Sequence, residues 1–175
     1  AYESATWGIL CAMHVSGMKG PVPIARQLVR RGPLAVGAIL VAEHVGPTRS
    51  LRGLIRSEFA LMPPERRKAL LADFGRFVGN LLELGVCEFT PRYFAIQETG
   101  KGASGFRFFL FDLDKAMLFP GAPRCLKRFL TWRAARRLRR LIREYASPDE
   151  RAAFESGLVP PASREPKVIA PDGAR

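Results

Sequence analysis

Cysteine is scarce in this chain. Its three cysteines, Cys11, Cys87 and Cys125, are far apart and odd in number. They suggest neither a disulfide framework nor a CxxC metal site, which fits a reducing cytoplasm. There are only two histidines, His14 and His44, with no ligand-like spacing to each other or to a cysteine; that argues against zinc. With Trp7, they read as packing residues. No apolar run approaches the ~18 residues that span a bilayer. The longest, Ala35 to Ala42, suits a buried strand. The N-terminus lacks the basic, apolar, small-residue order of a secretory signal, so a cytoplasmic location is expected. The chain begins at Ala1 rather than Met, which leaves room for upstream sequence. Acidic residues are also few, 16 against 28 Lys and Arg, giving a formal net charge of +12. A surface this basic attracts polyanions: nucleotides, nucleic acid or an anionic membrane face.

With 47% hydrophobic residues in 175, the chain can bury a core as one domain, or as one domain with a tail. Tyr2 to Met13 reads as a helix with Ile9, Leu10 and Met13 on one side. Val22 to Leu28 reads as an extended segment, Arg30 to Pro33 as a turn, and Val36 to Val45 as a strand. Ser50 is placed to cap a short helix through Arg56. The longest helix opens at Pro63-Pro64-Glu65 and ends at Gly85. Its apolar positions, Leu70, Phe74, Phe77, Val78, Leu81 and Leu82, fall three and four apart. Val86 to Arg92 reads as irregular. Tyr93 to Gln97 and Phe106 to Phe111 form a hairpin around Gly100 to Gly105. A basic helix covers Arg124 to Tyr145, with Leu126, Leu130, Ala134, Leu138 and Ile142 as its buried stripe. Pro148 starts a further helix that ends near Gly157. The Pro-rich remainder reads as a flexible tail.

The order of these elements carries information. Strand, break, short helix, long helix, irregular loop, hairpin and then an apolar strand ending in Phe111-Asp112-Leu113-Asp114-Lys115 is the order of a protein-kinase lower lobe. In that lobe the strand-end Asp holds Mg²⁺ against the nucleotide phosphates. A carboxylate at the end of a buried strand is costly unless a cation compensates it, and a hard divalent ion would do so.

The segment LFDLDKA resembles the I-D-F-D-[KR]-A element of the lipopolysaccharide core (Kdo/WaaP) kinases. GMKGPVPIARQL resembles the proline-rich stretch after their upper-lobe helix, and LVAEHVGPTRSLRGLI their hinge strand and short helix. The likeness is spread over about residues 2 to 155. It implies an α+β, protein-kinase-like fold with a mostly helical lower lobe and an incomplete upper lobe. Residues 1–45 would be a remnant of the upper lobe with the hinge strand, 46–157 the lower lobe, and 158–175 the tail. It further implies ATP- and Mg²⁺-dependent phosphorylation of a lipopolysaccharide-type sugar. Asp112 and Asp114 would bind the metal, and Glu43 and Val45 would meet adenine through backbone groups.

The sequence also departs from that pattern. Such kinases read H-x-D, then Asn five residues later. Aligned on Pro91, Glu88 replaces the Asp, Val86 the His and Tyr93 the Asn. Aligned on Gly85-Val86, Thr90 takes the Asp position. Neither register restores Asp, so Glu88 stands as a weakened substitute base. Its extra methylene shifts the carboxylate by roughly an ångström, which can cost about 100-fold in rate. No strand carrying a phosphate-binding Lys precedes the first helix. A non-catalytic pseudokinase, or a basic module binding anionic lipid, phosphosugar or nucleic acid, is therefore the competing reading.

Two further motifs have bland and sharp readings. Gly100-Lys101-Gly102-Ala103-Ser104-Gly105 matches G-x-G-x-x-G, but the fingerprint needs a helix next and a strand follows, so it reads as a turn. No acidic residue lies between Lys115 and Arg143, and nine basic residues fall from Arg124 to Arg143. The bland reading is a solvated helix face. The sharper one is contact of the 124–143 helix with an anionic membrane surface, at ~1 kcal/mol per basic residue, placing the protein at the periphery of the inner membrane. No aromatic-interleaved strand motif accompanies these charges, which counts against RNA. Cys87 lies in the altered loop without a nearby His to activate it.

Overall fold

Prolines and glycines punctuate the chain, and the computed structural model follows that punctuation. It describes residues 2–18, 20–32, 34–100, 104–111, 116–119 and 123–158. The tail expected beyond residue 158 lies outside them.

Helix α1 (Tyr2–Val15) buries Ile9, Leu10 and Met13, the face its spacing predicts. Strands β1 (Pro23–Arg31) and β2 (Leu34–Ala42) form an antiparallel hairpin that turns at Gly32, where φ is 61°. The strand expected to reach Val45 stops at Ala42, and the chain then turns at Gly46 (φ 77°). His14 and His44 are exposed, so their expected packing role is not realised.

Strand β3 (Arg49–Ser50) leads into helix α2 (Leu51–Ser57). The Ser50 Oγ accepts the Gly53 N–H at 3.4 Å, the cap anticipated from sequence, worth ~1 kcal/mol. After a 3₁₀ turn, Phe59–Leu61, helix α3 (Pro64–Glu83) begins at a proline whose missing N–H costs nothing there. Its buried face is Leu70, Leu71, Phe74, Val78, Leu81 and Leu82.

The stretch read as irregular contains strand β4 (Val86–Cys87) and a 3₁₀ turn, Pro91–Tyr93. Strands β5 (Phe94–Glu98) and β6 (Phe106–Leu110) form the expected hairpin, with Phe94 opposite Leu110 and Ile96 opposite Phe108. Strand β3 adds to the free edge of β5, while β7 (Met117–Leu118) pairs antiparallel with β4. Two-residue strands have no periodicity to read; only their partners define them. Helix α4 (Arg124–Tyr145) keeps the expected bounds, but only part of its stripe is buried: Ala134, Leu138 and Ile142. Leu126 is 40% exposed, because the start of the helix lies off the core. Helix α5 (Pro148–Leu158) closes the described chain.

The core lies where α3 meets the β5–β6 hairpin and α5. The Phe74 ring packs edge-on to Phe94 at 5.0 Å and lies 5.4 Å from Phe108 and 5.7 Å from Phe154. Each buried phenyl side chain contributes about 1.5–3 kcal/mol of transfer free energy. Helices α3 and α5 touch backbone to backbone through Gly75 and Gly157. A Cβ on Gly157 would lie 2.5 Å from the Ala72 carbonyl oxygen and 2.8 Å from the Arg76 nitrogen. Helix α5 opens with a reciprocal cap. The Glu150 carboxylate accepts the Ser147 N–H at 2.7 Å, and the Ser147 Oγ accepts the Glu150 N–H at 3.4 Å. Arg67 of α3 pairs with the same buried Glu150 at 2.7 Å, tying the two helices at one end.

Candidate active site

The loop after α3 is built from both ends. Gly85, at φ 82°, releases the helix, and its carbonyl accepts the Phe119 N–H at 2.9 Å. Cys87 is buried in β4, opposite Met117, whose carbonyl accepts the Cys87 thiol at 3.8 Å. Phe89 is fully buried, edge-on to Phe94 at 5.4 Å. The Tyr93 N–H closes the 3₁₀ turn on the Thr90 carbonyl at 3.0 Å. The Tyr93 carbonyl in turn accepts the Phe111 N–H at 2.7 Å.

These bonds matter for the Asp-x-Asp element. Asp112 and Asp114 lie outside the described residues. The residues on either side of them are fixed to one loop: Phe111 to Tyr93, and Met117 to Cys87. The end of the apolar strand and the altered loop are therefore neighbours, as the kinase-like order requires.

Glu88 sits in that loop at φ 60°, a backbone conformation that costs a non-glycine residue free energy. Its carboxylate lies 3.0 Å from the Arg133 Nε and 3.8 Å from an Arg137 guanidinium nitrogen, both on α4. The side chain is 17% exposed, so it is a partly buried ion pair rather than a free carboxylate. Burial, with the Glu88 charge beside it and Arg133 opposing, pushes the Cys87 thiol up to about 11. A thiol held protonated is a poor nucleophile, which agrees with the lack of a nearby His to activate Cys87 in the sequence. The Tyr93 side chain is buried, and its hydroxyl accepts a hydrogen bond from Arg92 at 3.3 Å.

At the hinge, the Glu43 N–H donates to the Val22 carbonyl at 2.9 Å. The Val45 carbonyl accepts the Gln97 Nε2 at 2.9 Å, which ties the hinge to β5. Among the described residues no backbone group takes the Glu43 carbonyl or the Val45 N–H. Those are an acceptor and a donor two residues apart. The G-x-G-x-x-G segment behaves as a turn at its described ends. Gly100 and Gly105 have φ of 62° and 74°, and the Thr99 N–H reaches the Gly105 carbonyl at 2.9 Å.

One feature of the site escaped the sequence reading. A cavity of about 280 Å³ opens beside the loop, lined by Arg52 and Arg56 of α2, Thr90 and Arg92 of the loop, and Arg137 and Arg140 of α4. The available signal was Arg52 and Arg56, four residues apart and so on one helix face. Nothing in the sequence alone shows that this face meets α4.

Residues 4–146 match the lipopolysaccharide kinase (Kdo/WaaP) family. The chain belongs to that family. A solved structure, WaaP in complex with acyl carrier protein, resembles it with a TM-score of 0.69 at 21% identity. The likeness covers 88% of this chain and 64% of that one, so this member spans less than two thirds of the WaaP chain. At that identity the likeness speaks for the fold, which is α+β and protein-kinase-like with a mostly helical lower lobe. No curated protein matches the chain. In this Kdo/WaaP member, no helix among the described residues is long and apolar enough to cross a membrane.

Proposed function

We propose that this Kdo/WaaP chain is the hinge and phosphate-handling part of an ATP- and Mg²⁺-dependent kinase for a lipopolysaccharide-type sugar. The observation that carries the reading is the anchoring of both flanks of the Asp112–Asp114 element on the loop that holds Glu88. Among the described residues no cluster of three His, Cys, Asp or Glu side chains offers a metal site. The Mg²⁺ ligands in this proposal are Asp112 and Asp114, a hard-oxygen pair that suits this ion. Bound there, the ion would neutralise phosphate charge during transfer. The Glu43 carbonyl and Val45 N–H would hold the adenine edge. Residues 1–45 then serve as the upper-lobe remnant and residues 46–157 as the lower lobe.

Glu88 is the substitute base in this scheme. Its pairing with Arg133 and Arg137 holds the carboxylate in place but keeps it occupied. The same pairing supports a second reading, a non-catalytic pseudokinase in which Glu88 only pins α4 to the loop. Two variants separate the readings. Asp112→Asn is expected to abolish Mg²⁺-dependent ATP binding; unchanged binding refutes the metal assignment. Glu88→Gln is expected to cut any measured turnover while leaving ATP affinity intact; unaltered turnover removes Glu88 as base.

The exposed start of α4 supports a peripheral partner. Phe129 and Trp132, each 52% exposed, stack at 6.3 Å, and Arg136 lies over the Trp132 ring at 5.4 Å. Basic residues beside exposed aromatics suit an anionic membrane surface. WaaP occurs in complex with acyl carrier protein, so a carrier protein is the competing occupant of that face.

A further inference from the structure

The cavity beside the loop gathers five guanidinium groups against one carboxylate, Glu144, and that carboxylate already accepts a hydrogen bond from the Tyr145 hydroxyl at 2.8 Å. Arg137 is shared with Glu88. Arg52, Arg56 and Arg140 form no ion pair among the described residues, although Arg56 reaches the Tyr145 hydroxyl. Like charges gathered in a partly enclosed space repel one another more strongly than in open water, so the cluster is relieved by an anion. A second observation points the same way. The Thr90 Oγ1 is buried and has no hydrogen-bond partner, and Thr90 lines this cavity. Buried hydroxyls are seldom left unsatisfied, and one that is calls for a ligand or water.

The size limits the ligand. A volume of about 280 Å³ corresponds to roughly nine water volumes and sits at the low end for small-molecule sites. It admits one phosphorylated sugar ring, not a polynucleotide. The chemistry is equally selective. Arginine forks match phosphate oxygens two at a time, and the hydroxyl adds a further donor.

We propose that this cavity is an acceptor subsite that grips a phosphate already carried by the substrate, beside the group to be phosphorylated. The proposal deepens the kinase reading above and rests on it. Thr90 is two residues from Glu88, and Arg137 reaches from the cavity to the Glu88 carboxylate at 3.8 Å. A phosphate held here therefore presents the attached sugar to Glu88. It also competes with Glu88 for Arg137, so acceptor binding loosens the pair that keeps the base occupied.

The experiment measures binding of glucose 6-phosphate and of glucose to the full chain by calorimetry. Phosphatidylcholine vesicles with and without phosphatidic acid are tested in parallel. The sugar phosphate is expected to bind and glucose not to. The double variant R52Q/R140Q, in two exposed residues, is expected to weaken binding by about tenfold or more, as loss of charge-assisted hydrogen bonds implies. Thr90→Val, nearly isosteric, is expected to weaken binding several-fold while raising the melting temperature without ligand. Binding of the phosphatidic acid vesicles but not the soluble sugar phosphate, abolished by R52Q/R140Q, assigns the same site to a lipid headgroup. Failure of the wild-type chain to bind either probe, or undiminished binding by R52Q/R140Q, overturns the subsite. ATP binding is followed alongside. Loss of ATP binding with retained sugar phosphate binding would sink the kinase reading while leaving the anion site intact.

Discussion

Gly157→Ala tests the packing of α3 on α5. The added Cβ would lie 2.5 Å from the Ala72 carbonyl oxygen, 2.8 Å from the Arg76 nitrogen and 3.1 Å from the Gly75 carbonyl carbon. All three are backbone atoms, so no side chain can swing aside and the helices must part by roughly an ångström, a form of overpacking that costs about 1–3 kcal/mol. Parting them also loosens the contact between Phe74 and Phe154, whose rings lie 5.7 Å apart. Alanine returns at most ~1 kcal/mol of helix propensity. The net expectation is a loss of about 2 kcal/mol, or about 4–8 °C in melting temperature for a domain this size. The control is Gly53→Ala in α2. That glycine is exposed, and the nearest atom to its added Cβ is the Ser50 Cβ at 3.7 Å, an ordinary contact. Propensity then dominates, and the variant should gain about 0.5–1 kcal/mol. Thermal unfolding followed by far-ultraviolet circular dichroism gives both values. If Gly157→Ala melts at or above the wild type, or if both variants shift in the same direction, the close backbone contact does not exist as described.

Glu150 and Cys87 offer two further checks. Glu150→Gln weakens the α5 cap and leaves Arg67 without its charge partner, so a loss of about 2–4 kcal/mol is expected in urea unfolding; a change below about 0.5 kcal/mol would show the pair to be incidental. The Cys87 thiol is raised from 9.0 to about 11 in the folded chain. The unfolded chain therefore loses this proton first as pH rises. The stability linked to this group is complete below about pH 9 and is lost through about pH 11. Cys87→Ala should flatten the stability profile in that window, and an unchanged slope would refute the burial argument. At neutral pH a thiol reagent should label the exposed Cys125 promptly and Cys87 only on unfolding.

Much of the fold was legible because its signals are local. The spacing of Leu70, Phe74 and Val78 specifies a helix face, Ser50 marks a cap, and the bounds of α4 follow from uninterrupted helix formers between Pro123 and Pro148. The family element around Asp112 was also legible, as a short pattern at the end of an apolar strand. The rest depended on distance. Strands β4 and β7 exist only as each other's partners. The exposure of Leu126 depends on where α4 leaves the core. The arginine cavity needs α2, the loop and α4 together. The pairing of Glu88 with Arg133 and Arg137 is of the same kind: a charge run that reads as solvated from sequence turns out to hold a carboxylate.

The loop that holds Glu88 is clamped on two sides, by the Phe111 amide on the Tyr93 carbonyl and by the pairing of β7 with β4. Opening either clamp frees amides that the fold protects, so the loop belongs with the core and not with the surface turns. The Phe111 and Phe119 amides report the two clamps separately, and both are expected to exchange slowly with solvent in the native chain.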